Sequence, residues 1–428
     1  MIIETQAAIA AKTSVAALCF ALFMITGSAR AGVVDVTQPP YNATGNGVTD
    51  DTMAINNAIA TGSTVYLPVP SNCYKTTTDL VMATKGQIMY GDGRTRSKIC
   101  PSGTAFTKGV ITFTSGEVGP QLRDFGIIFT QPTTSLPAQM TQYVPAIYAE
   151  NTPRFRIEHF RISLAWNGID MRGNSGGALI DDLEISAFNF GIWIDGSEDS
   201  VRLNNVHSWP FDLNSIQIQA FFNPSVTSFY IGRCDDCKIL GGMSIAGTAM
   251  NFFTGATGSV TGSVSDFAFD TNNGVVMNSG TVNMANVYFT PFGSGSTSAT
   301  AIFMTGGALN VASFWAQAGA SSTPMVQITS VSTPDATSLN MSDGKIILGS
   351  NAGAVFLNTA NNGGIGRIGL TNNFFDATPN VSHTMPLIYI HRNFRLQAIG
   401  NQMSDKGTGS GSFWRRVSTS RGRRTRPP

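Results

Sequence analysis

Charge is scarce in this sequence. Of its 428 residues only 12% are Asp, Glu, Lys or Arg, about half the usual share. That excludes a disordered polyelectrolyte and a helical bundle laced with surface ion pairs. The net charge of +1 argues against nucleic acid as the main partner. There are only four histidines and five cysteines. Long apolar runs are also missing after residue 27, so no later segment is suited to cross a bilayer.

The one apolar run, residues 14–27 (SVAALCFALFMITG), stands behind Lys12 and ahead of Ala29, Arg30 and Ala31. This is a secretory signal pattern with cleavage expected after Ala31. The mature chain is then expected to be secreted, extracellular or periplasmic. It keeps Cys73, Cys100, Cys234 and Cys237, an even number that points to two disulfides. Nearest neighbours would join Cys73 to Cys100 and Cys234 to Cys237. The CDDC at 234–237 is open to a redox or metal reading as well. Residues 407–428 carry six Arg and no acid, and read as a flexible basic tail. Residues 32–406 hold 19 basic and 25 acidic side chains, a net charge near −6.

What is abundant is repetition. A pattern with two apolar pairs recurs as LRDFGIIF (122–129), FRIEHFRI (155–162), LIDDLEI (179–185) and VRLNNVHS (201–208), and continues to FRLQAIG (394–400). Each early copy has a short companion strand: AIYAEN (146–151), GIDMRG (168–173), GIWIDG (191–196) and SIQIQA (215–220). Short strands on a fixed spacing, with Gly, Asn or Asp at the corners, describe a parallel β-helix. One coil cannot bury its apolar row alone, so coils must stack, about ten of them.

The inward columns then read Ile147, Ile169, Ile192, Ile216 and Ala149, Met171, Ile194, Ile218. The outward columns read Tyr148, Asp170, Trp193, Gln217 and Glu150, Arg172, Asp195, Gln219. A further outward column holds Arg161, Glu184 and His207. Residues 32–112 are expected to form the cap and first coils, and 113–406 the main helix.

Residues 45–70 (GNGVTDDTMAINNAIATGSTVYLPVP) place Thr49 or Asp50 as the cap of a short helix ended by Gly62, followed by a first strand. This segment, with Tyr74, Leu80 and the Gly91-Asp92-Gly93 turn, resembles the opening motif of the pectate lyase superfamily. Its members include rhamnogalacturonase-like, epimerase-like and tailspike-like right-handed parallel β-helix proteins. The resemblance implies an all-β solenoid with a short N-terminal capping helix. It also implies a secreted partner of acidic or complex polysaccharide, and a homotrimer if the likeness is to tailspikes. The fold itself hosts hydrolases, lyases, epimerases and adhesins. WNGID (166–170) resembles one polygalacturonase element, but Asn167 stands where its Asp belongs, and the Gly-His-Gly element is absent.

Chemistry is expected in the earlier coils, because residues 246–340 contain only Asp266, Asp270 and Asp335 and no Lys or Arg. Asp170 and Asp195 are the expected acid and base. Their backbones should lie roughly 7–8 Å apart as diagonal neighbours, within the range of an inverting glycosidase pair. Glu184 and His207 are the reserve catalytic candidates. Tyr148, Trp166, Arg172 and Trp193 are candidates for substrate binding. The alternatives are a surface charge ladder on a non-catalytic glycan-binding or structural β-helix, and a polysaccharide lyase. No cofactor is expected, except calcium in the lyase case.

Overall fold

The computed structural model describes residues 32–116, 118–290, 300–317, 324–329, 337–348, 357–359, 366–377, 388–391, 394–405 and 414–417. The signal segment 1–31 and most of the basic tail therefore lie outside the described residues.

The chain winds through three faces per coil, and every ladder between coils is parallel. The first face begins at Val33–Asp35, continues through Thr64–Leu67, Ile88–Gly91 and Gln121–Arg123, and ends at Phe394–Ile399. The second begins at Tyr74–Thr76 and reaches Gln402–Asp405. The third begins at Leu80–Met82 and reaches Trp414–Val417. Among the described residues the first face has fourteen strands in one unbroken ladder, more than the ten or so coils expected. The surplus comes from three short N-terminal rungs and from the rungs at Cys234–Ser244 and Gly366–Thr371, whose strands lie outside the recurring motif. Part of the segment expected to be a flexible tail, Trp414–Val417, is a strand paired to Ile388–His391.

The interior follows the alternation of the sequence. Ile147, Ile169 and Ile192 stand in register and are completely buried, each worth roughly 1.5–3 kcal/mol. The fourth member of that column is Phe229, not Ile216. SIQIQA is no strand: Ser215–Phe221 is an α-helix, and Thr227–Ile231 takes the rung above residues 190–194. Asn214 and Gln217 form a capping box that starts this helix. Ile216 is 44% exposed, whereas Ala220 and Phe221 are buried against Met140, Phe188 and Val226 in a satellite core. Further along, Phe229, Phe267, Phe269 and Phe289 form a file of rings 4.7–5.7 Å apart inside the tube. One core runs from Val36 to Ile388, and the expected boundary at residue 112 falls inside the strand Ile111–Phe113.

From Asp124 onward the corner between the first and second faces turns on one left-handed residue, whereas the first coils use the longer connections 68–73 and 92–97. Asp124, His159, Asp182, Asn205, Asp266, Asn286, Ser313, Asp343 and Asn372 all have φ between 48° and 60° there. Asn, Asp and His visit this region most readily among residues with a Cβ. Some of these corners also bond to each other: Asn205 Nδ2 donates to Asp182 Oδ1 at 3.0 Å, and Asn372 to Asp343 at 3.3 Å.

The first coil carries the helix Thr52–Ile59, which buries Ile55, Ala58 and Ile59. Its acidic pair is used structurally. Asp50 Oδ1 accepts from the Thr52 N–H and hydroxyl, and Asp51 accepts from the N–H groups of Thr44 and Gly45. Cys73 and Cys100 are joined across adjacent rungs, and Cys234 is joined to Cys237 within one.

The corner geometry generates a prediction. Ser313 is exposed, sits at φ 50°, and occupies a corner. Ser313→Val should lower stability by roughly 1–2 kcal/mol because a β-branched residue resists this conformation, while Ser313→Gly should not. Urea unfolding midpoints of the two variants check it; equal midpoints would remove the corner argument.

Candidate functional site

The third face carries the outward column expected from the repeats, with one replacement. Tyr148, Asp170 and Trp193 stand in register, followed by Tyr230, Asn251 and Val276. Gln217 is not in this column, because it lies on the helix described above. Arg172 and Asp195 are cross-strand partners as expected. Arg161, Glu184 and His207 are likewise in register on the second face.

The candidates thus fall into two groups on different faces. In the first, Asp170 is buried although it points outward. Both its oxygens are taken by Arg172: Nε at 2.9 Å and Nη2 at 2.6 Å. The Arg172 guanidinium lies 4.2 Å from the centre of the Trp193 ring. Its pKa is raised, chiefly by the Asp170 hydrogen bond, with Glu150 and Asp195 adding to the effect. The Tyr148 hydroxyl donates to Glu150, and the Lys108 ammonium lies over the Tyr148 ring. Asp195 is tied to the backbone, accepting from the N–H of Arg233 at 2.9 Å and of Ala256 at 3.2 Å. Gly232 and Gly255 let those segments approach, since a Cβ at either would collide with the Asp195 carboxylate.

In the second group, Glu184 is held between Arg161 at 2.6 Å and Arg94 at 3.0 Å. Arg161 also meets Asp212 at 3.4 Å and covers the Phe211 ring. His207 is enclosed by Trp209 and Phe211, and its Nε2 is buried without a partner. Burial pushes its pKa below 6.5, and the Arg94 charge acts in the same sense against the pull of Glu184. Trp166 belongs to neither group. It is partly buried against the satellite core around the Ser215–Phe221 helix.

Beside the first group runs a groove of about 480 Å³. The column of Trp193, Tyr230, Asn251 and Val276 supplies one side, and the in-register corner column of Phe190, Thr227, Thr248 and Asn273 supplies the other. Glycine makes the close stacking between them possible. A Cβ on Gly168 would strike the Gly191 carbonyl, and one on Gly191 would sit 2.6 Å from the Ser228 carbonyl. Tyr230 is fixed from both sides, stacked on Phe253 at 4.2 Å and edge-on to Trp193 at 5.2 Å. Tyr230, Asn251 and Asn273 were not reached from the sequence. The missed signal was the capping box at 214–217, which moves the next rung from 215–220 to TSFYI.

No family model and no curated protein matches the sequence. Solved structures do match it. The A-module of mannuronan C-5 epimerase AlgE6 from Azotobacter vinelandii superposes with a TM-score of 0.56 at 15% identity, over 87% of this chain and 99% of that one. The chain has the right-handed parallel β-helix fold. The N-terminal fragment of bacteriophage phi29 gene product 12 gives a TM-score of 0.53 at 12% identity, over 87% of this chain and 70% of that one. The catalytic unit of the GH87 α-1,3-glucanase from Streptomyces thermodiastaticus gives 0.50 at 15%, over 89% and 69%. This β-helix thus shares the fold implied by the resemblance of residues 45–93. Among its described residues no helix is long and apolar enough to cross a membrane.

His207 yields a pH prediction. The unfolded imidazole takes up a proton as pH falls below about 6.5, while the buried one resists. Stability present above that pH is therefore lost as pH falls through the lowered folded value. The thermal midpoint of wild type should drop more steeply between pH 7 and pH 5 than that of His207→Gln. Parallel curves would show that His207 does not resist protonation.

Proposed function

We propose that this chain is an exported β-helix that holds a polysaccharide along its third face. The groove carries this reading. It sets the Trp193 and Tyr230 rings on adjacent rungs, beside the amides of Asn251 and Asn273 and the hydroxyls of Thr227 and Thr248. Sugar rings offer apolar C–H faces to aromatics and hydroxyls to amides, and such pairing of flat surfaces with a few polar groups marks a ligand site. Two of the structural neighbours, an epimerase named for mannuronan and an α-1,3-glucanase, support the same class of ligand.

Binding without cleavage is the mode the geometry supports better. Both Asp170 oxygens are occupied by Arg172, both Asp195 oxygens by backbone N–H groups, and Glu184 by two arginines. Hydrolysis by Asp170 and Asp195 is the second reading. One observation favours it: Asp170 lies one rung from Trp193 in the column that continues into the groove. Elimination would need a calcium ion beside Arg172. The carboxylates around Arg172 are already engaged, and among the described residues no group of three His, Cys, Asp or Glu is placed to hold a metal ion, so the residues do not fit that ion and no step is derived through it. Cleavage after Ala31, an end-capping role for the Thr52–Ile59 helix and a homotrimer complete the proposal; sizing in solution tests the last.

Affinity electrophoresis against a polysaccharide panel, with a reducing-end assay on the same samples, tests the reading. Trp193→Ala and Tyr230→Ala should each weaken retention by about tenfold or more. Retention without new reducing ends is expected. New reducing ends that vanish in Asp170→Asn would establish hydrolysis instead. Unchanged retention in both aromatic variants would dismiss the groove.

A further inference from the structure

The groove also carries information about which polysaccharide it accepts. None of its lining side chains is charged. A charged cluster lies beyond Trp193, where Glu150, Asp170 and Asp195 surround Arg172 and Lys108 lies over Tyr148. That is three carboxylates against two cations, and the Nε–Nη2 edge of the guanidinium is already engaged by Asp170. On the other side the groove continues into coils that offer no cation. The sequence has no Lys or Arg between Lys238 and Lys345. A polyanionic chain laid along this face would meet a negative cluster at one end and no counter-charge at the other. The body of the protein, near −6 over residues 32–406, adds repulsion at longer range.

The polar groups that do line the groove suit hydroxyls. Asn273 Nδ2 donates to Thr248 Oγ1, which leaves its carbonyl oxygen turned to other donors. Among the described residues the Asn251 side chain uses its carbonyl oxygen, as an acceptor from Asn278. An amide can both donate to and accept from a hydroxyl, whereas a sugar carboxylate can only accept. Three rung steps separate Trp193 from Val276, roughly 14 Å at the spacing of parallel strands. That length and the volume of about 480 Å³ admit more than one sugar ring.

We infer that the groove takes an uncharged polysaccharide, with successive sugar rings on Trp193 and Tyr230 and hydroxyls on Asn251 and Asn273. This rests on the glycan-binding reading above and narrows the acidic or complex polysaccharide that the superfamily resemblance implies to an uncharged one.

The test uses the full secreted chain in affinity electrophoresis. One set of gels holds uncharged polymers: α- and β-glucans, xylan, mannan and galactan. The other holds polygalacturonate, alginate and a sulfated galactan. Retention by at least one uncharged polymer is expected, with less than a twofold change between low and high salt. It should fall by about tenfold in Trp193→Ala and measurably in Asn251→Ala, whose site lies outside the core. Circular dichroism of each variant confirms that the fold is kept. Retention confined to the acidic polymers and abolished by salt would overturn this inference while leaving the glycan-binding reading intact. Retention by neither set would overturn both. Retention by an uncharged polymer that survives all substitutions in the groove would place binding elsewhere and overturn the assignment.

Discussion

The lateral hydrogen bonding of each coil to the next governs this molecule. Because the ladders are parallel and in register, a residue's neighbours are its counterparts about one coil away, not the residues beside it in sequence. Apolar residues thereby form internal files, such as the column from Ile147 to Phe229. Outward residues form external files, and a charge repeated along one of them would repel itself. The low charge of the sequence and the asparagine file of Asn283, Asn310 and Asn340, bonded Nδ2 to Oδ1 at 2.8 and 2.7 Å, follow from that one constraint.

The groove and the charged cluster divide the third face between them, and Trp193 is the border. On one side its ring meets Arg172 and the carboxylates that neutralise it. On the other it meets Tyr230, and the neutral lining begins. The cluster is already engaged: Arg172 holds Asp170, the Tyr148 hydroxyl donates to Glu150, and backbone N–H groups hold Asp195. The groove keeps polar atoms free among the described residues, which is the difference between a structural network and a surface awaiting a ligand.

Much of this was readable from the residues alone. The apolar pairs repeated at nearly constant spacing, so the tube and its early columns followed, down to Asp170 beside Trp193 and Glu184 beside His207. The reading slipped at 215–220, where SIQIQA imitates a strand. Its alternating isoleucines mask a short helix whose buried side is made by Gln217, Ala220 and Phe221. The engagement of Asp170 was partly legible, because Arg172 two positions on shares its side of the strand. The engagement of Asp195 was not. Its partners are backbone groups of residues 233 and 256, brought in by turns whose shape no side-chain pattern encodes.

The single left-handed residue between the first and second faces has a consequence for how such a chain can diversify. The first coils bridge this bend with residues 68–73 and 92–97 and still keep their ladders paired. From Asp124 onward the bend keeps one length, and among the described residues growth falls at the remaining two bends. Two long excursions in the early coils, residues 129–146 and 209–226, depart from the bend before the third face, and the second contributes Pro224 and Ser225 to the groove. Ligand preference can thus be rewritten at that edge while the pitch of the spiral stays untouched.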